Sequence, residues 1–225
     1  MTLSLKKPTY PAPGLDTFPK LLLHNARMFT DKDAMREKEF GIWQSWTWSQ
    51  VAEEVERFAL GLQANGVKAG DTVLIIGGNR PRTYWTMCAV QSLGAVPVPT
   101  YHDSVASEMQ FVIEHSDARV IVAEDQEQVD KILDVKARCP SVELIIYDDP
   151  RGMKGYDPQE IKIQDFVTVQ AQGEAIRKDN PNQFQELVNQ GKGEDLSIIL
   201  YTSGTTGQPK GVVLTYDNTL LTGYY

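Results

Sequence analysis

Cysteine is nearly absent from this chain. Its 225 residues include two, Cys88 and Cys139, at no motif spacing. That argues against a disulfide-built scaffold and against Cys-x-x-Cys redox or zinc chemistry, and it fits buried thiols in a reducing compartment. Histidine is scarce as well: His24, His102 and His115 share no ligand spacing with each other or with the cysteines, which argues against a metal site. Positive charge is in deficit, with 22 Lys and Arg against 30 Asp and Glu, a net −8. Nucleic acid or an anionic membrane as main partner needs a basic face that this balance does not supply. Peripheral membrane contact stays open. No run approaches the ~18 apolar residues of a membrane span, and Met1 to Gly14 lacks the apolar segment of a signal peptide, so the expected location is cytoplasmic. No internal repeat or low-complexity segment is visible.

What is present is an ordinary globular composition, 41% hydrophobic and 23% charged, enough for one large domain or a small pair at ~150 residues per domain. Pro8 to Gly14 reads as an extended arm. Asp16 or Thr17 caps a helix with Pro19 in its first turn and Leu21 to Leu23 on its apolar side. Ala34–Lys38 and Ile42–Trp46 flank Gly41 as a hairpin, and Trp43, Trp46 and Trp48 read as packing residues. Thr47-Trp-Ser-Gln50 fits a capping box before a helix whose Val51, Val55, Phe58, Ala59 and Leu62 recur at helical spacing, with Gly66 closing it.

Strands and helices then alternate. Val73–Ile76, Ala95–Pro99, Arg119–Ala123 and Val142–Tyr147 read as strands, the β-branched runs as strands buried on both faces. Helices are predicted at about Arg82–Leu93, from a cap at Asp103 or Ser104 to His115, and at Gln126–Arg138. The pattern predicts an α/β fold: a doubly wound, mainly parallel sheet with flanking helices. The expected division is an arm, helix and hairpin over 1–48, an α/β core over 49–147, an irregular connector over 148–193 with two modest helical patches, and a strand plus polar loop over 194–225. Gly77-Gly78 reads as a tight turn, Tyr101 and His102 as residues on the ligand side of the sheet, and Glu124, Asp125 and Glu127 as a solvated helix start.

The chemistry concentrates near the C-terminus. Leu196–Tyr201 reads as a buried strand. It runs into Thr202-Ser203-Gly204-Thr205-Thr206-Gly207, then Gln208-Pro209, Lys210 and Gly211, before a second apolar run, Val212–Leu214. Glycines let backbone N–H groups approach a phosphate, hydroxyls add donors, and Lys210 adds a compact charge. It is not a Walker A loop: Gly204 and Gly207 are three apart, Pro209 precedes the lysine, and no helix follows directly. Two readings stand on the residues alone: an anion cradle, or a β-hairpin with an oversized polar turn where ~2–5 residues are usual.

Tyr201-Thr-Ser-Gly-Thr-Thr-Gly-Gln-Pro-Lys-Gly-Val212 resembles the phosphate-binding signature of the adenylate-forming (AMP-binding) enzymes. Thr47–Val51, Gly66–Asp71, Asn79–Pro81 and Gly94–Tyr101 are similar to N-terminal blocks of acyl-CoA synthetases. Glu124–Leu133 and Gly191–Asp195 are similar to the long-chain fatty-acid–CoA ligase branch. The resemblance implies an acid–thiol ligase, in which a carboxylate attacks the α-phosphorus of ATP and coenzyme A thiolate then displaces AMP. It implies that Thr202, Ser203, Gly204, Thr205, Thr206, Gly207 and Lys210 bind the nucleotide's phosphates, with Lys210 stabilising their charge. An aryl acid or a carrier-protein thiol as the other substrate, and a non-catalytic α/β fragment, remain alternatives.

Two departures accompany the resemblance. Thr215-Tyr216 stands where the family often has Ser-His. Members are also much longer, and the Mg²⁺-holding glutamate, the ribose-binding aspartate, the fatty-acid tunnel and the lysine-bearing C-terminal lid lie beyond residue 225. The expectation is that these 225 residues alone do not turn over.

Overall fold

The computed structural model describes residues 12–156, 161–202 and 209–224. Helix α1 (Phe18–Met28) starts where Thr17 accepts a hydrogen bond from the Lys20 amide, with Pro19 in the first turn. Strands β1 (Asp33–Glu39) and β2 (Ile42–Thr47) pair antiparallel through a turn at Phe40 and Gly41. Both turn residues have positive φ, 48° and 82°, the primed geometry that matches the twist of a two-residue hairpin. Helix α2 (Trp48–Ala64) opens on the expected capping box, Thr47 with Gln50.

From there the chain builds a parallel sheet. It contains β3 (Thr72–Ile76), β4 (Val96–Thr100), β5 (Val120–Ala123), β6 (Leu144–Tyr147) and β7 (Lys162–Asp165), in the order β4-β3-β5-β6-β7. Every pairing in it is parallel. Helices α3 (Pro81–Ser92), α4 (Ala106–Ser116), α5 (Gln126–Val135) and α6 (Phe166–Asp179) link or flank the strands. The period-two alternation of strand side chains sorts the core. Val73, Val120, Val122, Leu144 and Ile146 join one apolar cluster with Val55, Phe58, Leu62, Trp85 and Phe166. Leu74, Ile76, Ile121, Ala123 and Ile145 join another, with Met109 and Ile113 of α4 and Val129 and Ile132 of α5. Helices therefore cover both faces, as the doubly wound prediction requires.

Several expectations are corrected. The stretch read as a connector with two modest helical patches does hold two helices, α6 and α7 (Gln183–Gln190), but it also supplies the edge strand β7, which the sequence reading lacked. Helix α6 lies unusually close against α2. A Cβ on Gly173 would collide with the Arg57 carbonyl, and one on Gly61 with the Val169 carbonyl. Phe166 and Phe58 stack there with centroids 3.8 Å apart. The β pattern of Lys162–Asp165 is too short and too polar to read as a buried strand; the sheet edge recruits it. Helix α4 is capped at Val105 with no side-chain bond, because Tyr101 to Ser104 already form a turn closed by the Ser104 amide on the Tyr101 carbonyl, 3.2 Å. Trp43 is exposed, under the Arg36 guanidinium at 4.9 Å, whereas Trp46 packs edge-on against Trp85 at 5.5 Å.

Strand β8 (Leu196–Thr202) pairs antiparallel with β9 (Lys210–Thr215), and helix α8 (Tyr216–Tyr224) follows. Strand β8 is half-exposed and does not hydrogen-bond into the parallel sheet. The expectation of a buried last strand of the α/β unit fails at this point. Among the described residues, no helix is long and apolar enough to cross a membrane.

Candidate phosphate-binding hairpin

The antiparallel register of β8 and β9 places Thr202 directly opposite Lys210 and Tyr201 opposite Gly211. Directly opposed residues share a face, and faces alternate along a strand. Thr202, Lys210, Leu200 and Val212 thus occupy one exposed face at the mouth of the connection. Ile199, Tyr201 and Val213 occupy the other. The predicted loop residues Ser203, Gly204, Thr205, Thr206 and Gly207 lie outside the described residues. Its two ends, Thr202 and Lys210, are brought together. The hairpin reading of the sequence holds, with a connection, residues 203–209, longer than reversing the chain requires; the anion-cradle reading falls on loop residues outside the described ones.

The Tyr201 side chain passes close beside Gly211. A Cβ at Gly211 would come within 3.3 Å of Ile199 Cγ2 and of Tyr201 Cζ. The Tyr201 hydroxyl reaches Nδ1 of His115 on α4 at 2.6 Å. Phe111 stacks on His115 at 5.4 Å and meets Tyr201 edge-on at 6.4 Å. Burial pushes the Tyr201 phenol above its ordinary pKa, so the hydroxyl keeps its proton. At the other end of β8 the buried Gln91 amide of α3 donates to the Ser197 carbonyl at 2.8 Å and approaches its hydroxyl at 3.3 Å. Sequence spacing offers no signal for either contact, since His115 and Tyr201 are 86 residues apart and Gln91 and Ser197 are 106.

Thr215 and Tyr216 have local roles. The Thr215 hydroxyl accepts from the Asn218 amide at 3.2 Å, and the Asn218 side chain accepts from the Thr215 amide at 3.1 Å. That is reciprocal capping at the start of α8. Tyr216 is buried edge-on against Phe18 at 6.0 Å. Burial, reinforced by Cys88 and Asp195, pushes its phenol far up, so Tyr216 is a neutral packing residue.

A second polar region lies at the carboxyl ends of β3, β5 and β6, where the strand order reverses around β3. Gly77-Gly78 is not a positive-φ turn. Its missing side chains make room for Glu124, whose carboxylate takes the Gly78 amide and sits within 3.3 Å of where Gly77 or Gly78 would carry a Cβ. Arg80 bridges Glu124 at 3.3 Å and Glu37 of β1 at 2.6 Å. Hydrogen bonding to Glu37 holds the Arg80 guanidinium above its usual pKa. Arg82 pairs with Asp148, and burial raises the Asp148 carboxyl despite that partner. Glu37, Arg80, Arg82 and Asp148 line a cleft of about 520 Å³. The acidic cluster divides accordingly: Glu124 is structural, Asp125 caps α5 through the Gln128 amide at 3.2 Å, and Glu127 pairs with Lys131 at 2.7 Å. Tyr101 is exposed, and the His102 carbonyl accepts from Lys131 at 2.9 Å.

Among the described residues no group of three or more His, Cys, Asp or Glu converges as metal ligands. They offer Mg²⁺ no all-protein cage.

The family model described as AMP-binding enzyme matches residues 22–225. The chain belongs to that family. It is 30% identical over 178 residues to the long-chain-fatty-acid–CoA ligase FadD15 of Mycobacterium tuberculosis, covering 79% of this chain and 28% of the ligase. It is 28% identical over 204 residues to the long-chain-fatty-acid–CoA ligase ACSBG2 of Xenopus laevis, covering 90% of this chain and 26% of that protein. The adenylation domain of a carboxylate reductase from Mycobacterium chelonae superposes with a TM-score of 0.72 at 19% identity, over 93% of this chain and 36% of that one. That likeness shows the fold. The chain spans just over a quarter of the length of the curated ligases it matches. The signature read from the sequence falls inside the matched span, with Thr202 and Lys210 at the two ends of its loop.

Proposed function

We propose that this chain supplies the ATP-phosphate hairpin of an adenylate-forming ligase that activates a fatty acid and passes it to coenzyme A. The observation that supports this reading is the pairing of Thr202 with Lys210, which brings together the two ends of the segment that carries the signature and sets the lysine beside its entry. The choice of acid and acceptor is supported by the names of the similar ligases.

A carboxylate is a poor electrophile, because its carbonyl carbon is electron-rich and has no leaving group. Attack of one carboxylate oxygen on the α-phosphorus forms a new P–O bond and breaks the bond to pyrophosphate. The product is a mixed anhydride whose carbonyl now bears AMP. The thiolate of coenzyme A adds to that carbonyl and AMP departs. Nucleotidyl transfer of this kind needs positioning and charge neutralisation more than covalent help. On this reading Ser203, Thr205, Thr206 and the amides of Gly204 and Gly207 hold the β- and γ-phosphates, Thr202 supports the entry to the loop, and Lys210 offsets charge on the departing pyrophosphate. The acyl tunnel, the Mg²⁺ ligand and the lid would come from the part of the relatives' length that this chain does not span.

The test is Lys210→Ala in a polypeptide carrying residues 1–225 together with that remaining length. Loss of one fixed donor to transition-state charge is worth ~2.7–4 kcal/mol, so fatty-acid-dependent ATP–pyrophosphate exchange should fall by about 10²-fold or more, with fatty-acid affinity nearly unchanged. Exchange at the unsubstituted rate would sink the reading.

A further inference from the structure

The β8–β9 hairpin bonds as a two-stranded sheet of its own, so side chains and the ends of its strands must hold it to the α/β body. One anchor sits at its base, where Gln91 grips Ser197 and the Asp195 carbonyl and Gly193 carbonyl accept from the Tyr216 and Asp217 amides at 3.1 and 2.8 Å. From Ser197 to Thr202 the strand runs on for about 16 Å at ~3.3 Å per residue, half-exposed, toward the loop. Along this length β8 lies beside β4, and Ile199 and Tyr201 rest on the second apolar cluster; that apolar seat is non-directional, so a directional bond is needed to fix where the loop end sits.

We propose that His115 is a positioning residue for the phosphate loop: its hydrogen bond to Tyr201 straps the loop end of the hairpin to α4. This rests on the function proposed above. Three features make the strap specific. Phe111, one turn before His115, stacks on the imidazole and holds the ring that presents Nδ1. Gly211 leaves the space beside the Tyr201 ring, where a Cβ would press within 3.3 Å of Ile199 Cγ2 and Tyr201 Cζ. The anchored residue is also immediately before Thr202 and diagonal to Lys210 in the register, so any movement of the Tyr201 ring moves both ends of the loop. Either neutral tautomer of His115 satisfies the contact: Nδ1 accepts the phenol proton, or an Nδ1–H donates to the phenol oxygen.

The experiment is amide hydrogen exchange on the whole chain, with His115→Ala, Tyr201→Phe and His115→Asn. A single net hydrogen bond of this kind shifts a local equilibrium by about three- to tenfold. His115→Ala and Tyr201→Phe should speed exchange by that factor at Tyr201–Thr202 and Lys210–Gly211. Amides at the Ser197 anchor and in β3, β5 and β6 should keep their rates, as should the thermal midpoint. His115→Asn, whose amide occupies the place of Nδ1, should restore most of the protection, and the double substitution should do no more than either single one. Unchanged exchange at the loop end overturns the strap, and so does an equal increase throughout the chain. A second measurement, Mg·ATP affinity, separates the two proposals. If the unsubstituted chain binds Mg·ATP and His115→Ala binds it equally well, the positioning role is wrong. If the polypeptide that also carries the remaining length binds no ATP in either form although exchange responds as expected, the phosphate-loop reading fails and takes the positioning role with it, and only the strap's mechanical part survives.

Discussion

Strands β3 and β8 are written in nearly the same alphabet, Thr-Val-Leu-Ile-Ile and Leu-Ser-Ile-Ile-Leu-Tyr-Thr, yet they meet different fates. In β3 the last four residues are buried, between strands on both edges and helices on both faces. In β8 Ser197 is fully buried, while Leu196 and Leu200 are exposed at 44% and 37%. The difference lies in the neighbours, since apolar content sets how much a strand gains from burial but not what arrives to bury it. The body of this chain is a closed two-faced core. The hairpin is hydrogen-bonded as a ribbon of its own, laid beside β4 with Ile199 and Tyr201 against the second apolar cluster and its opposite face open.

That contrast can be broken by mutation. The largest effect should come from the α2–α6 contact of the body. Phe58→Ala removes a fully buried ring stacked on Phe166 and should cost about 3–5 kcal/mol by denaturant unfolding. Gly173→Ala should come next. The added methyl has no free volume against the α2 backbone, and forcing the helices apart should cost ~1–3 kcal/mol. A near-neutral Gly173→Ala would mean that α6 is not seated as described. Smallest of all, Leu200→Ala on the exposed hairpin face should change stability by less than about 0.5 kcal/mol. A cost comparable to that of Phe58→Ala would show that the hairpin belongs to the core, and the comparison would collapse.

Much of the body was legible in the sequence because its signals are local. The capping box at Thr47 to Gln50, the β-branched runs at Val73 and Arg119, and the helical spacing of Val51 to Leu62 depend on residues a few positions apart, and each appears close to its predicted bounds. The misses share one cause. Lys162–Asp165 becomes a strand because β6 offers it an open edge, and Gly61 and Gly173 matter because two helices 112 positions apart in sequence press together at them. Glu124 looked like a solvent-facing helix start, and is a carboxylate lodged on the Gly78 amide and Arg80. Gly77-Gly78 looked like turn chemistry, and is the space that carboxylate fills.

For the candidate site, the chain's own order of residues determined the ingredients: glycines for close backbone approach, hydroxyls, a lysine after proline, and apolar runs on either side. Those follow from side-chain chemistry and adjacency, which a sequence states outright. Tertiary structure alone decided that the two runs pair with each other rather than extend the parallel sheet, that Thr202 faces Lys210, and that Tyr201 passes beside Gly211 to reach His115. Those outcomes depend on which strand edge, helix face and side chain come within hydrogen-bonding distance, and such distances are set only when the whole chain packs.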